Sequence, residues 1–300
     1  MFVWLMFLSV GAIWGSSYLL IKIGVNEFDP IALVALRLGI AAVCFAVMFL
    51  VTRRRFPRDP RTLGILALVG ITNTALPFIL ITWGEKYIDS AIAGVLVATT
   101  PLFSLVIAHL ALADDKITLG KLLGLIAGFT GIVLLATRTA GDGQNSILGQ
   151  VAILGASASY GISSVIIKKT LKNVEPMTVA GVTLMVGGGA SVLFMLLAVR
   201  PLPNLSLVST GALLAVIILG VLNTYIAYVL FFRVIKAWSA TRATMVTYIA
   251  PPFSIALGLL FGSERFDIRL IIGAVLIIGG VILANMWKDQ PLFKARTAQA

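Results

Sequence analysis

The chain has 300 residues, of which 59% are hydrophobic and 12% are charged, and its mean hydropathy is +1.05. This composition excludes a soluble globular protein, whose surface needs a far larger polar fraction. The 23 Lys and Arg residues outnumber the 12 Asp and Glu residues, but they lie in short gaps between apolar runs, which favours a membrane surface over nucleic acid as their partner.

The apolar runs predict ten membrane-spanning helices, because a helix needs about 20 apolar residues to cross a bilayer. Their approximate limits are residues 2–24, 31–51, 63–83, 90–112, 119–137, 147–167, 177–199, 207–232, 239–261 and 268–287. The first run has no basic segment ahead of it and continues past Gly15, so we interpret it as a spanning helix rather than a cleaved signal. The gaps carry turn residues such as Asp29-Pro30 and are too short for a soluble domain.

The two halves of the chain resemble each other. Trp14–Lys22 matches Tyr160–Lys168 at an offset of 146, and Asn73-Thr74 matches Asn223-Thr224 at an offset of 150. Further matches at the second offset are Gly70 with Gly220, Pro101 with Pro251, Phe103-Ser104 with Phe253-Ser254 and Asp114 with Glu264. Each half holds five predicted spans, and an odd number of crossings inverts the second half in the membrane.

We therefore predict an all-α membrane protein with ten transmembrane helices arranged as two inverted five-helix repeats. The repeats are predicted over residues 1–138 and 147–288, with the junction at Arg138–Ser146.

The positions of the basic residues predict the orientation. If the N-terminus is cytoplasmic, the gaps and tail on that side hold 16 Lys and Arg residues and the opposite gaps hold six. The smaller set is Lys22, Lys86, Arg138, Arg200, Arg265 and Arg269. Both termini are therefore predicted to be cytoplasmic.

Polar and aromatic residues recur in the middle of corresponding spans of the two halves. They are Trp14, Ser16, Ser17, Tyr18, Thr72, Asn73, Thr74, Phe78, Thr99, Thr100, Tyr160, Ser163, Ser164, Asn223, Thr224, Tyr225, Tyr228, Thr244, Thr247 and Tyr248. Such groups avoid lipid, so they either bridge helices or line a cavity. Both interpretations are open for the serines and for Asn73 and Asn223. Aromatic rings beside hydroxyls and amides suit a small amphipathic solute better than a bare ion.

Four prolines lie within these spans at Pro77, Pro101, Pro251 and Pro252. A proline frees the carbonyl four residues earlier and bends its helix. We predict that these positions are bends beside the cavity, and that those near Pro101 and Pro251 act as gates.

The titratable residues limit the chemistry. All 12 acidic residues fall in gaps or at helix ends, which argues against a carboxylate relay at the bilayer centre. Coupling through Glu85 and simple downhill flow are both open. Arg37, about two turns inside the second span, is expected to reach outward, to pair with Asp29 or Glu27, or to meet an anionic group.

The sequence gives no sign of an enzyme. His109 is the single histidine, so no histidine cluster could bind a catalytic metal, and no phosphate-binding glycine loop occurs. We predict no enzyme activity, no cofactor and no metal. Glycine stripes in the fifth and tenth spans, including Gly124, Gly131 and Gly280, indicate close helix packing within the bundle or across a homodimer.

The chain resembles the EamA-type permeases of the drug/metabolite transporter superfamily. The resemblance rests on Trp14-Gly15-Ser16-Ser17, Asn73–Phe78, Ala98–Phe103 and the duplication, and it covers residues 5–287. It implies a ten-helix inverted-repeat bundle in the bacterial inner membrane, with a central cavity made by the first, third, fourth, sixth, eighth and ninth helices. The cavity residues it implies are Trp14, Ser17, Asn73, Phe78, Thr100, Tyr160, Ser163, Tyr225, Tyr228 and Tyr248.

The function that follows is export of a small amphipathic metabolite, an amino acid in the first instance, by alternating access. The bilayer and a small-molecule substrate are the expected partners, and nucleic acid is not. The alternatives are a lipid or sugar-lipid flippase of the same superfamily, which would need a lateral opening lined by basic residues, and a multidrug efflux protein.

Overall fold

The computed structural model describes residues 2–54, 56–112, 117–137, 145–238 and 243–286. Within them the chain is helical and forms no β-strand. Residues 138–144 of the predicted junction, the repeat match at Asp114 and the predicted cytoplasmic tail after Met286 lie outside the described residues.

We number the helical segments α1 to α10 in chain order. They are α1 Phe2–Gly24, α2 Pro30–Val51, α3 Pro60–Glu85, α4 Ser90–Ala111, α5 Leu119–Thr137, α6 Ile147–Thr170, α7 Pro176–Ala198, α8 Thr210–Ala237, α9 Ala250–Phe261 and α10 Ile268–Met286. Over the side chains that the structure describes, α1 to α8 are long and apolar enough to cross a bilayer, and α9 and α10 are shorter apolar helices. The chain is therefore a multi-pass membrane protein.

The turn residues of the predicted gaps begin the helices. Asp29 caps α2 by accepting a hydrogen bond from the Ile31 amide at 2.9 Å, and Asp59 caps α3 by accepting one from Thr62 at 2.9 Å. Pro30 and Pro60 occupy the first positions of the same helices. A backbone amide at that position has no acceptor within the helix, so a proline there loses no hydrogen bond. The hydrogen bond from Thr62 lowers the pKa of the Asp59 carboxyl, so the cap stays ionised well below neutral pH.

Two helices contain a π turn at the repeated Asn-Thr pair. It covers Ile71–Ala75 in α3 and Val221–Ile226 in α8. A π turn widens the helix and turns side chains out of the regular pattern, which is why such turns accompany functional sites. The two turns occupy corresponding places in the two halves of the chain.

Two other segments are interrupted at the Thr-Pro and Ala-Pro positions. The first part of α4 ends at Val97 and the second begins at Thr100, one residue before Pro101. A 3-10 turn over Thr244–Tyr248 precedes α9, whose second residue is Pro251. The sequence predicts the ninth span as one continuous helix from residue 239. The structure instead begins the α-helix at Ala250, because Pro251 lacks the amide that would extend the helix backward.

The two halves exchange packing partners. α1 packs against α8 and α9, whereas α6 packs against α3 and α4. α2 pairs with α7, and α5 pairs with α10. Each half therefore buries its helices against the other half.

Small residues let these helices approach closely. A Cβ at Gly15 of α1 would lie 2.6 Å from the Ala250 carbonyl of α9, and a Cβ at Gly161 of α6 would lie 2.9 Å from the Ser104 amide of α4. Gly15 and Gly161 are matched positions of the sequence repeat. The α5 and α10 stripes likewise pack against each other, so they need no second copy of the chain to explain them.

Substituting Gly131 tests the α5–α10 contact. A Cβ there would lie 2.8 Å from the Gly273 carbonyl, whereas a Cβ at Gly279 on α10 would meet nothing within 4 Å. We expect Gly131→Ala to lower the free energy of unfolding by about 1–3 kcal/mol through overpacking. We expect Gly279→Ala to change it by less than about 0.5 kcal/mol. Denaturant unfolding in micelles measures both, and equal effects would contradict this packing.

Candidate functional site

A cavity of about 790 Å³ lies between the two halves. Residues of α1, α2, α3, α4, α6, α7, α8 and α9, together with the turn before α9, line it, and the described parts of α5 and α10 contribute none. The size falls in the range of small-molecule sites. The helices predicted to form the cavity did not include α2 and α7, which contribute Arg37, Pro176 and Val179.

Most of the predicted cavity residues come together there. Those that line the cavity are Trp14, Ser17, Asn73, Phe78, Thr100, Tyr160 and Tyr228. The Trp14 ring lies 5.8 Å from the Tyr228 ring in an edge-on arrangement. Tyr18, Phe231 and Phe232 add three further aromatic rings to the lining. Contact of any of these side chains with a solute remains a prediction.

Three predicted residues lie outside the lining, each because another contact holds it. The Ser163 hydroxyl donates to the Ser159 carbonyl at 2.9 Å and is 2.8 Å from the Thr72 hydroxyl. Tyr225 packs edge-on against Phe45, with ring centroids 5.1 Å apart. Tyr248 packs into an apolar cluster with Leu102, Leu125 and Val281. Helix periodicity does not distinguish these orientations, since both sides of a spanning helix are apolar.

The two repeated asparagines have different surroundings. The side-chain amide of Asn223 donates to the Ile13 carbonyl and lies 3.0 Å from the Ser16 hydroxyl and 3.1 Å from the Ser17 hydroxyl. Asn223 therefore bridges α8 to α1 as well as lining the cavity. Asn73 lines the cavity from the π turn of α3. The halves are thus related in position and different in chemistry.

Hydroxyl groups satisfy the backbone at the α4 break. Pro101 leaves the Val97 carbonyl without its helical donor, and the Thr100 hydroxyl donates to that oxygen at 2.8 Å. The Leu96 carbonyl accepts from Thr99 at 2.6 Å and from Ser157 of α6 at 3.3 Å. Because these bonds replace the lost helical bond, the break is stable at membrane depth.

The other three predicted bend prolines differ in exposure. Pro77 and Pro251 are buried and Pro252 is exposed. Gating by these prolines and by Pro101 remains a proposal.

Arg37 lies in the site, although it is not among the residues predicted to line the cavity. Its side chain is 5% exposed and lines the cavity. Its Nε donates to the Thr224 hydroxyl at 3.0 Å, and its guanidinium carbon lies 4.5 Å from the centre of the Phe78 ring. One of the three alternatives given for Arg37, pairing with Asp29 or Glu27, is wrong, because Asp29 caps α2 and Glu27 accepts from Ser209. The sequence feature that could have identified Arg37 as a site residue is its position inside a spanning segment, where charged residues are rare and commonly functional.

One end of the cavity is closed by polar contacts, and we call this end the closed face. Glu264 accepts hydrogen bonds from the Ser90 amide and hydroxyl, both at 2.6 Å, and from the Ala91 amide at 3.1 Å. Lys22 donates to the carbonyls of Glu85 and Ile88 at 2.9 and 2.8 Å. A carboxylate thus meets a helix N-terminus and an ammonium meets a helix C-terminus, which are the favourable pairings with the helix dipole.

Two further contacts join the helices at the closed face. The Asn145 side chain accepts from the Asp89 amide at 2.8 Å and donates to the Asp89 carboxylate at 3.1 Å. Ser209 donates to Glu27, and these bonds lower the pKa of the Glu27 carboxyl. The folded pKa is depressed, so the contact is favoured above the ordinary pKa of a glutamate and lost as the pH falls through the folded value.

Glu85 is buried at the same face. It is 0% exposed, and neither carboxylate oxygen has a hydrogen-bond partner among the described residues. Lys22 lies nearby but donates to the Glu85 backbone rather than to its side chain. Glu85 is not among the residues that line the cavity.

The opposite end of the cavity reaches the surface, and we call it the open face. The lining there includes Lys168, Lys172 and Pro176, which are exposed. Arg54 and Glu175 form an ion pair at this end of α2 and α7, and the hydrogen bond from Arg54 lowers the pKa of Glu175. The cavity is therefore accessible from the open face.

Comparisons with known proteins agree with this architecture. The model of the EamA-like transporter family matches residues 1–137 and 147–286. A solved structure described as "Crystal structure of protein" superposes with a TM-score of 0.66 at 21% identity, covering 94% of this chain and 95% of its own. That likeness concerns the fold.

Three relatives match along nearly their whole length. The uncharacterized transporter YoaV of Bacillus subtilis is 26% identical, over 92% of this chain and 94% of its own. The uncharacterized inner membrane transporter YedA of Escherichia coli K12 is 28% identical, over 96% and 91%. A probable terminal-alkyne amino-acid exporter of Streptantibioticus cattleyicolor is 25% identical, over 94% and 93%.

Two neighbouring serines test the cavity lining. Ser164 lines the cavity, whereas Ser163 is fully buried against α3. In a Cys44→Ala background, we expect a water-soluble maleimide to label Ser164→Cys readily and to leave Ser163→Cys unlabelled in folded protein. Labelling of both after denaturation is the control. Fast labelling of the Ser163→Cys variant alone would show that α6 is rotated from the orientation described.

Proposed function

Because the chain belongs to the EamA-like transporter family, and is thus a membrane transporter, we propose that it exports a small amphipathic metabolite by alternating access. An amino acid is the proposed cargo. The observation that carries the proposal is a cavity of about 790 Å³, lined by aromatic and polar groups, which is closed at one face and reaches the surface at the other.

We propose that residues 1–138 and 147–288 form two inverted five-helix repeats. The contacts at the closed face support this arrangement. The end of α1, at Lys22, meets the end of α3, whereas the beginning of α6, at Asn145, meets the beginning of α4 at Asp89. The first helix of each half thus runs in the opposite direction to its counterpart. The exchanged packing of α1 and α6 is the pattern that a two-fold relation between the halves would give.

The proposed location is the bacterial inner membrane, with both termini in the cytoplasm. Basic residues concentrate at the open face, where Arg53, Arg54, Arg58, Arg61, Lys168, Lys169, Lys172, Arg233 and Lys236 lie. The positive-inside rule therefore assigns that face to the cytoplasm, and the relative YedA is named an inner membrane transporter. The described conformation would accept a solute from the cytoplasm, as an exporter must.

Alternating access requires the closed face to open while the open face closes. Lys22 joins α1 to the end of α3 within the first half, whereas the contacts of Glu264 with Ser90 and of Glu27 with Ser209 join the two halves. Breaking them would separate the halves at this face. The interruptions before Pro101 and Pro251 supply bends at which α4 and α9 could move.

An amino acid fits the lining better than the alternative cargoes. The rings of Trp14, Phe78 and Tyr228 offer an apolar surface, and Asn73 and Thr100 offer hydrogen-bonding groups. The cavity lining contains no Asp or Glu among the described residues, which disfavours a cationic drug. The Streptantibioticus cattleyicolor relative is named as a probable amino-acid exporter. Flux of a lipid instead of a soluble solute would support the flippase alternative.

Counterflow of labelled amino acids in liposomes tests the proposed transport. We expect saturable flux for at least one amino acid. Trp14→Ala removes an aromatic wall of the cavity and should weaken apparent affinity roughly tenfold or more, from the loss of buried apolar contact. Trp83→Ala is the matched control, because Trp83 packs against Tyr87 at the end of α3. Absence of saturable flux for every amino acid would reject this cargo.

Glu264→Ala tests the closed face. Loss of three hydrogen bonds to a charged group should shift the equilibrium toward the outward-open state roughly tenfold or more. The reporter is Ile21→Cys in the Cys44→Ala background, since Ile21 is 2% exposed and lines the cavity. An impermeant maleimide added outside should label it faster in the Glu264→Ala protein. Glu175→Ala, at the other face, should leave the labelling unchanged, and faster labelling there would contradict the assignment.

A further inference from the structure

We propose that Arg37 binds a carboxylate of the transported solute, so that the cavity selects monocarboxylates and zwitterions over cations. This inference rests on the proposed transport function and names its substrate class. It follows from three independent features of Arg37, which are donors unused by the described residues, the lack of a close counter-ion among them, and its place in the repeat.

The donors of Arg37 are only partly used. Nε donates to Thr224 at 3.0 Å and the guanidinium lies over the Phe78 ring, but no described residue accepts a hydrogen bond from Nη1 or Nη2. A guanidinium presents its donors as a rigid fork that matches the two oxygens of a carboxylate. Thr224 and Phe78 hold the guanidinium in place, and Arg37 lines the cavity.

The charge of Arg37 has no close counter-ion in the described part of the chain. Among the described residues, no carboxylate oxygen forms a salt bridge with Arg37 within 4 Å. The buried Glu85 carboxylate interacts with the guanidinium only at longer range. A buried, unpaired cation is unfavourable in a spanning helix. A bound anion would relieve that penalty.

The fold does not require an arginine at this position. At the repeat offset of 146, Arg37 of α2 corresponds to Thr183 of α7. The two sites are structurally equivalent, because a Cβ at Gly220 would lie 2.9 Å from the Arg37 carbonyl and a Cβ at Gly70 would lie 2.9 Å from the Thr183 carbonyl. Thr183 serves the same packing while donating only to its own helix, at Ala180. The positive charge of Arg37 is therefore not needed for this helix packing, since the equivalent Thr183 is uncharged.

The rest of the lining indicates what accompanies the carboxylate. Lys168 and Lys172 at the open face add positive charge along the entry path, and the described lining contains no Asp or Glu. Trp14, Phe78 and Tyr160 provide aromatic walls in the same cavity. The solute is therefore a carboxylate with an aromatic or branched apolar body, and a positively charged amino group contributes little to its binding.

Four related compounds separate the groups that the site recognises. They are L-phenylalanine, 3-phenylpropionate, phenethylamine and L-phenylalaninamide, which share a ring and differ in carboxylate and amine. We expect the two carboxylates to raise the melting temperature of the purified protein and to compete in counterflow, and the amine and the amide to do neither at the same concentration. Equal effects of the amine or the amide would overturn the proposal.

Variants of Arg37 test its part directly. Arg37→Gln should weaken binding of both carboxylates roughly tenfold or more, the size expected for charge-assisted hydrogen bonds, and should remove the preference over the amine. Arg37→Lys keeps the charge without the fork and should recover only part of the affinity. Arg233→Gln is the matched control, because Arg233 is exposed and outside the lining. An unchanged carboxylate preference in the folded Arg37→Gln variant would overturn the proposal.

The result separates this inference from the proposed function. Saturable flux with no preference for a carboxylate would support transport and reject carboxylate binding by Arg37. Carboxylate binding that depends on Arg37, with no saturable flux of any of the four compounds, would support the site and count against transport of such solutes.

Discussion

The structure depends on one constraint, which is that polar groups inside a bilayer must be satisfied by protein. The chain breaks or widens its helices at the Asn-Thr and Thr-Pro positions, and there side chains of one half donate hydrogen bonds to backbone carbonyls of the other half. Asn223 of α8 bonds to α1, the α4 break receives a hydroxyl from Ser157 of α6, and Ser159 donates to the Thr72 carbonyl at 2.6 Å. Since an irregular backbone is tolerated only where protein or water meets it, these breaks and the cavity occur in the same place.

Residues that match between the two halves pack the helices together, and residues that differ between them determine the chemistry of the cavity. Gly15 and Gly161 play the same part, as do Gly70 and Gly220, each allowing one half to approach the other. The side chains facing the cavity differ between the halves at Trp14 and Tyr160 and, most sharply, at Arg37 and Thr183. Packing requires a common backbone path, whereas binding requires an asymmetric set of donors and acceptors, so the two demands fall on different atoms of the same helices.

The charges follow the same division between structure and function. At the closed face, Glu264 and Lys22 bind helix ends and join separate helices. Inside the cavity, Arg37 has one hydrogen bond from Nε and no close carboxylate among the described residues. A charge that completes a helix terminus stabilises one conformation, and a charge held without a counter-ion is available to a ligand. The exposed Lys168 and Lys172 lie between that charge and the solvent.

The sequence by itself determined the helical, membrane-spanning class and nearly all helix boundaries, because hydropathy and caps such as Asp29-Pro30 act locally. It also identified seven residues that line the cavity. Only the tertiary structure decided the rest: Tyr225 and Tyr248 turn to apolar clusters, Ser163 bonds to α3, and Arg37 reaches Thr224, 187 residues away. Lipid and protein interior are equally apolar, so periodicity does not fix the rotation of a spanning helix. Contacts between distant halves fix it instead.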